Sequence, residues 1–300
     1  MVQRFNFINI ILVFLLLLFP FQSFTLYIHD HEVTRNVGMY ISSQYKPSIP
    51  YFKNFIIEEN SYHIPVVFAG LMGLANDVTH ATEHILKDNT KFNVPYIAKF
   101  RNSLINLSGA VGYYSGQGPR LEIEGSYENF DAANCKNCAA DANRYFALVR
   151  NKPDNSSFYP KAHQNTLSGS TTQYKSYYTI MKNNGISIAS VMLNGCYDFS
   201  FNNVKISPYV CAGIGGDFIT LFETMHIKFA YQGKFGISYL ISPSVSIFVS
   251  GHYHKVADNT FKNLHVKYIY SLQDPPNITS AIAKLRIGYF GSEVGVRFVF

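Results

Sequence analysis

Arg120-Leu121-Glu122-Ile123-Glu124-Gly125-Ser126-Tyr127-Glu128 alternates without a fault. Leu121, Ile123, Gly125 and Tyr127 fall on one face, and Arg120, Glu122, Glu124, Ser126 and Glu128 on the other. A period of two makes this a strand with an apolar side and a charged side. Residues 226–239 repeat the pattern, setting Ile227, Phe229, Tyr231, Phe235, Ile237 and Tyr239 against His226, Lys228, Gln232, Lys234 and Ser238. That run far exceeds the usual soluble strand of about 5–6 residues. Val245, Ile247, Val249 and Tyr253 then alternate with Ser246, Ser250, His252 and His254, with Phe248 intruding on the polar side.

Working outward, weaker strands are expected at 37–46, 104–114, 185–201, 204–219 and from 280 to the end. The connections, about 57, 4, 56, 2, 6, 2 and 24 residues, alternate long with short as in an up-and-down barrel of eight strands. Tight turns are expected at residues 115–118, Asn202-Asn203 and Ser242-Pro243, where Asn and Pro are standard turn residues. In the last segment Leu285, Ile287 and Tyr289 share a face. After Gly291-Ser292 the apolar set moves to Val294, Val296, Phe298 and Phe300, which predicts a bulge at the glycine. A short hairpin is the rival reading.

Composition fits this architecture. Of 300 residues, 47% are hydrophobic and 15% charged, with 22 Tyr, 25 Phe and no Trp. A disordered or collagen-like chain is excluded. The net charge of +6 comes without a long Lys/Arg run, so no nucleic-acid partner is expected. Residues 1–25 carry Arg4, an apolar block from Phe7 to Phe19, Pro20 and Ser23-Phe24-Thr25, the layout of a secretory signal peptide. That block falls short of the roughly 20 residues a spanning helix needs. The remaining domain, 26–300, is therefore expected to be exported.

An exported chain with these strands either folds as a secreted sandwich, apolar faces inward, or crosses a membrane. In hydrocarbon every backbone N–H and C=O must find a partner within the protein, so strands cross only as a closed sheet. Strand length and the aromatic excess favour the closed sheet, whose two interfaces carry aromatic girdles. The expected fold is all-β: a transmembrane antiparallel β-barrel of eight strands, with long outward loops that contain short helices.

Several runs resemble the major outer-membrane surface antigen family of Ehrlichia and Anaplasma. They include Gly118 to Glu128, Asn143-Arg144-Tyr145-Phe146-Ala147-Leu148, Asn194-Gly195-Cys196-Tyr197-Asp198-Phe199 and Pro208-Tyr209-Val210-Cys211-Ala212-Gly213-Ile214-Gly215. The resemblance implies a bacterial outer-membrane barrel exposed at the cell surface, with antigenic loops and no catalytic residues, and a host-cell surface partner is an expectation for those loops. For some relatives it implies passive porin activity. The carboxyl-terminal Phe300 resembles the signal by which outer-membrane barrels engage the barrel assembly machinery. Outer-membrane lipid is the other expected partner.

Chemistry-bearing residues are few. Cys135 and Cys138 form a lone C-x-x-C, without the second ligand pair of a zinc site, and read as a local disulfide or two exposed thiols. Cys196 and Cys211 sit on successive strands. A two-residue turn at Asn202-Asn203 sets 196 opposite 209 and leaves 211 a diagonal neighbour at about 7 to 8 Å, the upper limit for a bridge unless the register shifts. His80 and His84 have helical spacing, but Glu83 is misplaced for H-E-x-x-H. His252 and His254 share a polar strand face without a partner that would complete a catalytic site. No metal, cofactor or enzymatic step is expected.

The polar strand faces say more. Arg120, Glu122, Glu124, Glu128, Lys228, Lys234, Lys284, Arg286 and Arg297 are predicted to point into the lumen. Eight strands leave an interior just wide enough for side chains to fill, so these charges are expected to pair. A porin passing small hydrophilic solutes is the alternative. The long loops 47–103 and 129–184 are expected to form an ordered cap, with a short helix through Thr79 to Lys87 and a helical signature from Ala139 to Arg150, and 257–280 is a third surface loop.

Overall fold

The computed structural model describes residues 36–59, 67–70, 86, 94–115, 118–133, 144–149, 162–163, 175–176, 178–201, 204–266, 268–270 and 280–300. The signal segment, His80, Glu83, His84, Cys135 and Cys138 lie outside them, as does the helix expected at Thr79 to Lys87 apart from the buried, helical Leu86.

Eight antiparallel strands close into a barrel: β1 (Gly38–Tyr45), β2 (Leu107–Tyr114), β3 (Pro119–Phe130), β4 (Ile186–Asp198), β5 (Ile206–Leu221), β6 (Thr224–Ser242), β7 (Val245–Val256) and β8 (Gly288–Val299). Each pairs with its sequence neighbour. β1 and β8 complete the ring from Tyr40↔Val299 to Tyr45↔Val294, which leaves no open edge in the wall. The short strand Ser48–Pro50 folds back onto β8.

Burial decides which face is wet. Leu121 and Ile123 are 55% and 59% exposed, whereas Glu122 and Glu124 between them are 6% and 1% exposed. The same inversion runs along β6, where Ile227, Phe229, Phe235 and Ile237 face outward and Gln232, Lys234 and Ser238 are buried. A soluble sandwich would do the reverse. An apolar outer belt over a polar interior is a wall built for hydrocarbon.

The turn end differs from expectation in one place. Four residues, 115–118, join β2 to β3, and Pro243-Ser244 joins β6 to β7, but seven residues, 199–205, separate β4 from β5. The two-residue turn near this pair instead joins β5 to β6 at the opposite end, through Phe222 and Glu223. Both have positive φ, 49° and 64°, as a type I′ hairpin requires. Neither is a usual left-handed residue. Phe222 holds the conformation because its ring is buried among Phe55 and Phe146.

Beyond the loop end of the barrel the chain forms further sheets. Thr260–His265, Ser280–Arg286 and Lys53–Glu59 make a three-stranded sheet, and Tyr268–Tyr270, Tyr178–Lys182, Tyr145–Val149, Val67–Gly70 and Val94–Pro95 a five-stranded one. The helical signature at Ala139 to Arg150 is thus a strand over Tyr145–Val149, because pairing on both edges outweighs local propensity. These sheets pack on the barrel mouth. Ile57, Phe146, Met181, Phe261 and Leu285 join Phe130, Ile186, Ile188, Ile219, Leu221 and Tyr289 in one buried cluster. Each such side chain contributes about 1.5–3 kcal/mol of hydrophobic stabilisation.

The phase change near Gly291 has the same origin. β8 pairs with β7 from Val245↔Phe298 to Lys255↔Gly288 without a bulge. Tyr289, Glu293 and Arg297 all face inward, and what changes along that face is its chemistry, from apolar under the cap to charged in the lumen. Ser280–Arg286 is a separate strand.

Candidate functional site

The barrel interior is the most chemically concentrated part of the molecule. Arg120 lies at its turn end, with Nη1 donating to the Tyr40 hydroxyl at 2.9 Å and to Glu122, and Nη2 reaching Asp198 at 3.3 Å. Arg297 approaches Asp198 at 3.8 Å, and its guanidinium lies against the rings of Tyr40, Phe248 and Tyr209 at 5.1–5.9 Å.

Toward the middle, two ammonium groups share a set of carboxylates. Lys46 Nζ is 3.0 Å from Glu124, 3.6 Å from Glu293 and 3.8 Å from Glu128. Lys234 contacts Glu124 and lies 3.2 Å from Glu293 and 4.0 Å from Glu122. Asn194 donates to Glu122 at 3.0 Å and Glu124 at 2.9 Å, and Gln232 donates to Glu124 at 2.9 Å. Gly213 makes room for this bridge, because a Cβ there would collide with the Asn194 carboxamide.

Higher up, His254 Nε2 is 2.8 Å from Asp217 and its ring stacks on Tyr289 at 4.6 Å. His252 sits 3.6 Å from Glu293, its other nitrogen 3.4 Å from the Ser48 hydroxyl. Both histidines are buried. Taking any of these ions from water costs several kcal/mol, so the set is tolerable only as an interlocked whole.

Of the charges predicted for the lumen, Arg120, Glu122, Glu124, Glu128, Lys234 and Arg297 lie buried on inward faces. Lys228 is higher, on the protruding part of β6, where it pairs with Asp258 and donates to the Thr260 carbonyl oxygen at 2.7 Å. Lys284 and Arg286 are not in the lumen: they belong to the three-stranded sheet, and Arg286 is exposed. The alternation runs unbroken through Ile287 in the sequence, but two separate strands meet there in the structure. Asp198, Asp217 and Glu293 were missed although their parity on β4, β5 and β8 puts them inside. Lys46 directly follows β1 and continues the inward parity of Tyr40, Ser42 and Gln44, which puts it inside as well.

Cys196 and Cys211 are directly paired in the β4–β5 register and joined by a disulfide, with Cα atoms 4.0 Å apart. The longer 199–205 connection shifts the register that a two-residue turn would impose. Glu122 completes a close group with the two sulfurs, but they are bonded to each other, and Arg120 Nη2 stands 3.7 Å from Cys211 Sγ where a cation would have to sit.

Over the mouth, Tyr96 stacks on Phe146 at 4.4 Å and accepts a hydrogen bond from Asn183 Nδ2 at 3.0 Å. Burial pushes its phenol up to about 12, so it stays neutral in the cap.

Comparisons with known proteins give the chain its family. A family profile described as surface antigen matches residues 32–300. Major surface antigen 4 of Anaplasma marginale is 30% identical over 279 residues, covering 90% of this chain and 88% of that protein. Among solved structures, the outer membrane protein OprG of Pseudomonas aeruginosa is similar at a TM-score of 0.42 and 9% identity, covering 89% and 98% of the two chains. Neisserial surface protein A is similar at a TM-score of 0.36 and 10% identity, covering 88% and 97%. The barrel assignment stands on the strand register described above. The chain belongs to the surface antigen family, as an outer-membrane β-barrel protein of the cell surface.

Proposed function

We propose that the barrel is a sealed anchor and that its cap is the working part, displayed for recognition by a host-cell surface partner and by antibodies. One observation carries this reading. The interior is filled in two layers, an ion-paired layer from Arg120 to Glu293 and an apolar layer from Ile188 to Leu285, and the apolar layer ties the extra-membrane sheets to the wall. A porin would keep water in contact with its charges, whereas here Lys46, Glu124 and Glu293 are each 1% exposed. His252 and His254 serve the interior and are not presented to a substrate on either side of the membrane, which favours a non-enzymatic role. Phe300 follows the last residue of β8 and is exposed, where the barrel assembly machinery would find it.

Two measurements test this. Reconstituted in a planar bilayer, the protein is expected to give no discrete conductance steps; regular steps would make it a porin instead. Protease treatment of intact cells is expected to cut only within residues 46–106, 131–185 and 257–287. Binding of the purified protein to host cells should then fall with that cleavage, and cuts at 199–205 would reverse the orientation.

A further inference from the structure

The membrane-facing side of the wall carries an arrangement that neither lumen nor cap uses. In barrels of this kind the long connections face outward, so the loop end of β7 and β8 meets the outer leaflet. There the outward residues form rows across adjacent strands. Tyr253, Phe290 and Ile49 are direct neighbours and exposed to lipid. The next row holds Tyr231, Lys255 and Gly288, with Tyr51 beyond it, whose N–H donates to the Gly288 carbonyl at 2.7 Å. Above these, Arg286 pairs directly with Lys53.

Like charges directly opposite each other across a strand pair are destabilising. A bulge creates this pairing, with the register shifting between Lys284 and Arg286 and Asn54 in the left-handed region at φ 56°. Among the described residues no carboxylate pairs with Lys53, Lys255 or Arg286. Lys53 lies over the Tyr51 ring at 4.3 Å and Lys255 over Tyr231 at 5.8 Å. Gly288 lies buried beneath them, packed by the His254 and Tyr51 carbonyl oxygens and the Tyr253 hydroxyl. Directly below, Gly233, Phe235, Gly251, Tyr253 and Phe290 line a groove of about 500 Å³ on the lipid face.

We propose that this is the binding site of one anionic outer-leaflet lipid. Its phosphate sits between Lys53, Lys255 and Arg286, and one acyl chain runs down the groove over Gly233, whose outer side is open. The cations supply the charge the headgroup needs, the aromatic row marks the depth at which a headgroup lies, and the groove accepts the chain. The site joins the barrel wall to the edge of the three-stranded sheet that carries Lys53 and Arg286, and it does not depend on which partner the cap binds.

Native mass spectrometry of the full chain in detergent tests it, with phosphatidylglycerol and phosphatidylcholine of identical chains as probes. One phosphatidylglycerol per barrel is expected to be retained at a concentration at least about tenfold lower than phosphatidylcholine. Lys255→Gln with Arg286→Gln should abolish the preference. Gly233→Phe, which keeps every cation, should reduce retention by filling the groove. Equal retention of the two lipids, or a preference unchanged in both variants, overturns the proposal. So does displacement of the lipid by inorganic phosphate, which would make the site one for free phosphate, and so does binding of heparin with no lipid preference.

Discussion

Cys196 and Cys211 face each other across β4 and β5, covalently joined, with Arg120 against one of the sulfurs. The bridge closes a loop with a sequence separation of 15. Loop-closure entropy for a loop of that size is worth about 3 kcal/mol. Cys196→Ser with Cys211→Ser is expected to lower the denaturant midpoint of the micelle-bound barrel accordingly, and non-reducing peptide mapping of the parent should recover the two cysteines linked. Two free thiols in that map would refute the register.

Lys46→Met leaves Glu124 and Glu293 with one ammonium group, that of Lys234, in place of two, and Glu128 with none among the described residues. Stranding buried charge in this way costs about 3–5 kcal/mol. The temperature at which the barrel loses its heat-modifiable gel migration should drop sharply. Adding Glu124→Gln in the same chain should recover part of the loss, and a Lys46→Met barrel as stable as the parent would contradict the interlocked interior.

Phe222→Ala removes a buried ring from beneath the cap, and with it the burial that holds the left-handed turn. Large-to-small changes of this kind cost about 3–5 kcal/mol. Because Phe222 contacts Phe55 and Phe146 rather than the lumen, the loss should show as faster proteolysis of the cap with barrel migration unchanged. Equal loss of both would mean that cap and barrel unfold together.

Outside the membrane, the hydrogen bond from the Lys228 ammonium, helped by the backbone N–H of Thr260, holds the Asp258 carboxyl below the usual carboxylate range. A group depressed in the folded state contributes stability above its unfolded value, about 3.9, and loses it as pH falls through the folded one. Hydrogen-exchange protection of the Thr260 amide should therefore be steady from pH 7 to 5 and decline below about pH 4. Asp258→Asn should flatten that profile, and an identical decline in the variant would assign the acid response elsewhere.

The wall was legible because lipid contact imposes a strict period of two, and Leu121 against Glu122 already displays it. Register was harder. Asn202-Asn203 looks like a tight turn but belongs to a seven-residue connection, whereas Phe222-Glu223 carries no turn chemistry and owes its conformation to tertiary burial. Lys46 continues the inward parity of Tyr40, Ser42 and Gln44, but its three carboxylate partners are not legible locally, since they depend on where the end of β1 meets β3 and β8. The apparent slip at Gly291 reflects a change of surroundings along a single inward face.

The stacked interior has a consequence for how such a surface diversifies. The apolar stopper beneath the cap insulates the ionic floor from whatever lies above. Segments displayed to the outside can be exchanged, lengthened or recoloured with charge while the electrostatic puzzle around Lys46 and Lys234 keeps its single solution, so novelty at the exterior does not require the membrane anchor to be reinvented.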